Sequence, residues 1–118
     1  PLGHSIECRI NAENSKDFRP SAGTIGLFHP PAGNGIRLDT FIYSGYKVPH
    51  YYDNLLAKLI ATGRTRNHAI KRALRALNEI VIDGIETNIE LHKKILSSKD
   101  FKDGSIPINW LENNITSL

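Results

Sequence analysis

LLAKLIATGRTRNHAIKRALRALNEI, residues 55–80, changes its hydrophobic period halfway along. Residues 55–62 form a short apolar run that periodicity alone leaves open between strand and helix, and we read it as a buried strand closed by Gly63. After Gly63 the period becomes helical: Ala69, Ile70, Ala73, Leu74, Leu77 and Ile80 recur on one face, with Thr65 placed to cap the first turn. Arg66, Lys71, Arg72, Arg75 and Glu79 fall on the opposite face. Upstream, residues 4–10 alternate, with Ile6, Cys8 and Ile10 on one side and Ser5, Glu7 and Arg9 on the other, as a half-buried strand does. FRPSAGTIGLFHPPAGNG, residues 18–35, predicts a loop, a strand over residues 25–28 and a turn, and residues 36–49 predict short alternating strands. Downstream, VIDG gives a short strand and a turn. A second helix capped by Asn88 or Thr87 then runs to about Leu96, with Ile89, His92 and Ile95 or Leu96 inward. A last short helical segment is expected around residues 109–113, holding Trp110 and Leu111. Strands first and helices later predict an α+β domain: a mainly antiparallel β-sheet in the first half, with two to three helices packed on it from the second.

The 118 residues have the size of one domain and are long enough for a hydrophobic core. At 40% hydrophobic and 23% charged, the composition is that of a globular chain and excludes intrinsic disorder. Fifteen basic against 12 acidic residues give a net charge of +3, but the signs alternate along the chain, which argues against a nucleic-acid partner. No apolar run is long enough for a membrane span, and the N-terminus lacks the order of a signal peptide. The lone Cys8 rules out an internal disulfide and favours a reducing compartment, the cytosol or an organelle reached through a targeting segment elsewhere. The abrupt start at Pro1-Leu2, directly before an alternating segment, points to a cut inside a longer polypeptide or a cloning remnant.

No complete catalytic constellation stands out. The five histidines lack the close spacing of a zinc site, no nucleophile elbow is present, and the AGNG segment lacks the lysine of a phosphate loop. The cations of the residue 65–80 helix, with Arg64 just before it, could line an anionic partner; without interleaved aromatics a solvated helix face is the simpler reading. Tyr51-Tyr52-Asp53 could form a binding corner or a packed turn. Arg9, beside Glu7 on the outward side of its strand, would by itself ordinarily make a surface ion pair.

The order of five segments changes that. GHSIECRINAE (3–13), PSAG (20–23), GNGIRLD (33–39), VPHYYDNLLAKLIATG (48–63) and DGIETNIE (83–90) together resemble the C-terminal domain of biotin carboxylases, and the similarity extends from Gly3 to about Glu112. Among the family's branches, the intact RINAE and the uninterrupted IRLDTFIYSGYKVP look closest to the separate biotin carboxylase subunit of bacterial-type acetyl-CoA carboxylase. The resemblance implies an ATP-dependent ligase in which ATP and bicarbonate form carboxyphosphate, whose breakdown supplies CO2 to biotin held on a carrier protein. It implies that the ATP-grasp region, with its Mg²⁺-binding acids and phosphate lysines, lies upstream of Gly3, and that these residues alone are inactive. It implies that Arg9, the arginine of the ECR motif, binds biotin and bicarbonate and acts in catalysis. Ile108 corresponds to an apolar contact for the adenine of ATP, with Asn109 in place of the residue often found beside it. Asn34 and Arg37 match the surface through which the bacterial subunit forms a homodimer, and Asp53 lies near the path from that interface to the active site. Asn34 stands where some members carry a larger apolar residue, which implies a weaker dimer. The implied partners are the upstream ATP-grasp region, a second subunit, the biotin carboxyl carrier protein and the carboxyltransferase. The alternatives are the equivalent domain of a pyruvate or propionyl-CoA carboxylase, or a stand-alone interaction module that kept the fold without the chemistry.

Overall fold

The computed structural model describes residues 3–14, 16–49, 54–98 and 101. In chain order the elements are β1 (His4–Asn11), β2 (Gly23–Thr24), β3 (Phe28–His29), β4 (Ile36–Thr40), β5 (Lys47–Val48), β6 (Leu55–Gly63), α1 (Arg66–Glu79), β7 (Val81–Ile82) and α2 (Ile89–Leu96). The ambiguous run at residues 55–62 is a strand, and it is the central one. β6 pairs antiparallel with β1 on one side and β4 on the other, while β2–β5 and β3–β7 form two small ribbons.

The register makes two unlike faces. Ile6, Ala61 and Ile36 lie in one row, Cys8, Leu59 and Leu38 in the next, and Ile10, Ala57 and Thr40 in a third. α1 covers this inner face with Ala69, Ile70, Ala73, Ala76 and Leu77, all buried, and α2 packs beside it. Small residues on both sides, Ala57 and Ala61 against Ala69 and Ala73, permit a close approach of helix to sheet. Cys8 is sealed in this layer, and burial, with a smaller push from Glu7, raises its thiol pKa to about 12, so it acts as an apolar core residue.

The turn from β6 into α1 depends on two residues. A Cβ on Gly63 would stand 2.5 Å from the Ala69 nitrogen, so only glycine lets the strand run so directly into the helix. Thr65 is the N-cap, and its Oγ1 accepts from the His68 N–H at 3.1 Å.

Three details differ from the expectations. The apolar run at residues 25–28 is not one strand, because the chain changes partners there. The Ile25 N–H donates to Tyr46 O, whereas the next amide, Gly26, donates to Asp83 O. Ile25 is fully buried at this crossing, which explains its apolar character without a strand. Within FIYSGYKV only Lys47–Val48 is strand; residues 41–46 form a loop in which Tyr46 meets Phe41 and Tyr43 edge-on, both pairs at 5.4 Å between ring centroids. In α2 the inward set includes Leu91, which the periodicity passed over, alongside His92, Ile95 and Leu96, while Ile89 is half-buried. The helix expected around residues 109–113 lies outside the described residues.

Candidate functional site

The outer face of the three-stranded sheet is polar. Its rows read Ser5–Thr62, Glu7–Ile60–Arg37 and Arg9–Lys58–Asp39 across β1, β6 and β4. Alternation therefore sends Arg9 outward while Cys8 and Ile10 anchor its neighbours in the core. No described residue takes the Arg9 guanidinium in an ion pair; the neighbouring Glu7 aligns instead with Ile60. Directly opposite Arg9 stands Lys58. Two cations in facing cross-strand positions repel, and an anion laid over them would relieve that repulsion. Lys58 was missed in the sequence, although the signal was a single charge inside an otherwise apolar strand.

Arg37 shares this outer face but not this place. It lies on β4, two strands from Arg9 and thus roughly 10 Å away, and its Nε donates to Asp39 Oδ1 at 2.9 Å. That bond raises the guanidinium pKa further above its ordinary value. Asn34 sits in the exposed loop just before β4, on the rim of an open basin shared with His68, Lys71, Arg72 and Arg75 of α1. The structure thus brings Asn34 and Arg37 to one end of β4 and keeps Arg9 on β1. Asp53 and Ile108 lie outside the described residues.

The basic face of α1 is tied down by the protein itself. Arg72 Nη1 donates to Thr62 O at 2.7 Å, and Arg75 Nη1 to Ala32 O at 3.1 Å. Arg66 donates to Phe101 O at 3.0 Å and lies over its ring at 4.5 Å. These arginines tie the helix to β6, to the loop before β4 and to Phe101, a structural use that the reading of a solvated face had not included. Among the described residues no three His, Cys, Asp or Glu side chains gather into a metal-binding group.

Behind Arg9 lies a buried polar cluster. Asn88 occupies the N-cap position of α2, yet its side chain does not cap the helix. Instead Asn88 Nδ2 donates to the Arg9 carbonyl at 2.9 Å, and Asn88 Oδ1 accepts the Asn11 N–H at 2.8 Å. His92 Nε2 lies 2.8 Å from the same Arg9 carbonyl and can only donate to it. Two residues past the end of β1, Glu13 is 5% exposed; its Oε2 accepts from Asn54 Nδ2 at 3.2 Å, while Oε1 has no partner among the described residues. Burial raises the Glu13 pKa, and hydrogen bonds from Asn54 and Asn11 oppose the rise.

His92 makes stability depend on pH. Burial lowers its pKa below the ordinary 6.5, and the bond to the Arg9 carbonyl opposes this less strongly. The unfolded chain therefore takes up a proton as pH falls through 6.5, before the folded chain does, and stability declines there. For one proton the slope is at most about 1.4 kcal/mol per pH unit. The unfolding free energy measured from neutral pH down to pH 5 should fall more steeply for the wild type than for His92→Gln. Parallel curves would show that His92 does not titrate between the two states.

The family model for the biotin carboxylase C-terminal domain matches residues 7–113, and the chain belongs to that family. Biotin carboxylase from Pseudomonas aeruginosa is 48% identical over 113 residues, covering 96% of this chain and 25% of that protein. The crystal structure of a biotin carboxylase from Campylobacter jejuni, a nucleotide complex, superposes with a TM-score of 0.87 at 42% identity, covering 95% of this chain and 25% of that one. The biotin carboxylase domain dimer of Hydrogenobacter thermophilus 2-oxoglutarate carboxylase, in complex with MgADP, ADP and bicarbonate, gives 0.87 at 43% identity over 96% of this chain and 25% of its own. The chain thus spans about a quarter of the length of these relatives. The α+β architecture expected from the order of elements is the architecture of these structures.

Proposed function

We propose that this chain works as the C-terminal domain of a full-length biotin carboxylase, where Arg9 faces biotin and bicarbonate and takes part in carboxylation of biotin on a carrier protein. The carrying observation is the outward Arg9 on a core-anchored strand, without an ion-pair partner among the described residues and opposite the like-charged Lys58. As the ureido nitrogen of biotin loses its proton, negative charge gathers on the ureido oxygen. A guanidinium held next to that oxygen stabilises the charge and can hold bicarbonate through two parallel N–H bonds. ATP and Mg²⁺ belong in this reading to an ATP-grasp region preceding Gly3, with Ile108 adding an apolar contact for adenine. The intact RINAE (residues 9–13) favours the subunit of a bacterial-type acetyl-CoA carboxylase, and hence fatty acid synthesis, over a pyruvate or 2-oxoglutarate carboxylase. Its place would be the cytoplasm, or a plastid or mitochondrion in a eukaryote, with a carrier protein and a carboxyltransferase as partners. The direct test is biotin-dependent turnover after removal of the Arg9 guanidinium from the full-length enzyme; unchanged turnover would overturn the reading.

Asn34, Arg37 and Asp53 are assigned to a homodimer surface. Arg37 and Asp39 both stand in solvent, so their pair adds little to folding, and Arg37→Glu should leave the domain folded. At a self-complementary two-fold surface the same change places an anion against the partner and beside Asp39. Sedimentation of the full-length variant at micromolar concentration should shift from dimer towards monomer. An unchanged dimer would remove Arg37 from the interface.

A further inference from the structure

We propose that Asn88 and His92 of α2 are positioning residues for Arg9, fixing the direction of its side chain by clamping its backbone carbonyl from behind. The proposal rests on the reading of Arg9 as the arginine that meets biotin.

β1 is an edge strand, so the Arg9 carbonyl turns away from β6 and needs partners elsewhere. Asn88 supplies them as a neighbouring peptide would, with its amide nitrogen on Arg9 O and its amide oxygen on the Asn11 N–H. His92 adds a second donor to the same carbonyl, and the Asn88 N–H reaches Asn11 O at 3.3 Å. Both side chains are 2% exposed, so water cannot easily replace either of them.

The clamp sits where the sheet stops controlling the strand. The β1–β6 register slips between Ile10, opposite Ala57, and Asn11, opposite Leu55. Such an irregularity bends a strand and disrupts its ladder locally, and the Asn88 bonds to Arg9 O and to the Asn11 N–H span it. Among the described residues no ion pair holds the guanidinium, so what the fold fixes is the backbone from which the side chain starts. A group that must meet developing charge within a fraction of an ångström is sensitive to such a hold.

The experiment uses the full-length enzyme with ATP, bicarbonate and free biotin. His92→Leu removes one donor to the carbonyl, His92→Gln returns an N–H at similar reach, and Asn88→Asp keeps the acceptor for Asn11 but removes the donor to Arg9. Turnover is expressed per folded molecule, with melting temperature followed alongside. We expect His92→Leu and Asn88→Asp each to lower biotin turnover about tenfold or more with little change in KM for ATP, and His92→Gln to recover most of the loss. In an Arg9→Ala background the same changes should cost no further turnover while still lowering the melting temperature. Wild-type turnover from folded His92→Leu and Asn88→Asp would overturn the proposal, as would an undiminished loss in the Arg9→Ala background. Wild-type turnover from Arg9→Ala alone would instead sink the reading of Arg9, and the clamp with it.

Discussion

Arg9→Ala in the full-length enzyme should fold normally and carboxylate biotin about 10²- to 10³-fold more slowly. The two halves of that expectation have separate causes. Arg9 is exposed, and its guanidinium has no described partner whose loss would leave a charge stranded. Its strand is held by other atoms: Ile6, Cys8 and Ile10 in the core, the ladder to β6, and the Asn88–His92 hold on the backbone. Lys58, opposite Arg9, also has Asp39 opposite it on β4, so truncating Arg9 takes a cation from a row that keeps its own counter-charge. The melting temperature should therefore stay put. On the proposed reading the reaction, by contrast, loses the guanidinium that meets the oxygen where charge develops. Arg9→Lys should recover only part, because an ammonium is a point charge and cannot form the planar two-pronged contact. The measurement pairs melting temperature with biotin-dependent turnover. A variant that loses its fold, or one that keeps full turnover, would make Arg9 a structural or surface residue.

The largest effect on folding should come from Leu59→Ala. Leu59 is 0% exposed at the middle of the central strand, facing Cys8 on β1 and Leu38 on β4 under the cover of α1. Both neighbouring strands and α1 surround this side chain, so the space it vacates cannot close from any one side. Buried Leu→Ala changes cost about 2–5 kcal/mol, the upper part of the range applying where the surroundings cannot collapse. A loss of about 3 kcal/mol is expected, or roughly 12–24 °C in melting temperature for a domain near this size. Denaturant unfolding should show a lower midpoint with an unchanged slope. A loss below about 1 kcal/mol would mean that Leu59 is not at the packing centre.

The two arginines singled out in the sequence illustrate how far local pattern reaches. Arg9 was legible as outward because a strand's period of two depends only on its own residues, and Ile6, Cys8 and Ile10 define the other side. Its separation from Arg37 was not legible, since that follows from β6 lying between β1 and β4, a pairing made across long stretches of chain. His92 shows the same limit. Helical spacing put it on the inward face of α2, but its partner is the carbonyl of a residue 83 positions earlier. Asn88 or Thr87 was read as the cap because capping is local and common, whereas the Asn88 amide is taken by the edge of β1 and Thr87 Oγ1 accepts from the Ile89 N–H at 3.4 Å.

The sequence by itself determined the alternation that turns Arg9 out, the Thr65 cap, the apolar stripe of α1 and the order of motifs that marks the family. Each of these depends on residues close together along the chain, where spacing and side-chain chemistry leave few choices. Only the tertiary structure decided that residues 55–62 form the central strand, that Lys58 faces Arg9, and that Ile25 marks a change of partners between two ribbons. It alone decided that Asn88 and His92 close over the open edge of β1. An edge strand must satisfy its outward backbone groups with whatever folds against it, and which distant side chains arrive there is fixed by packing of the whole core.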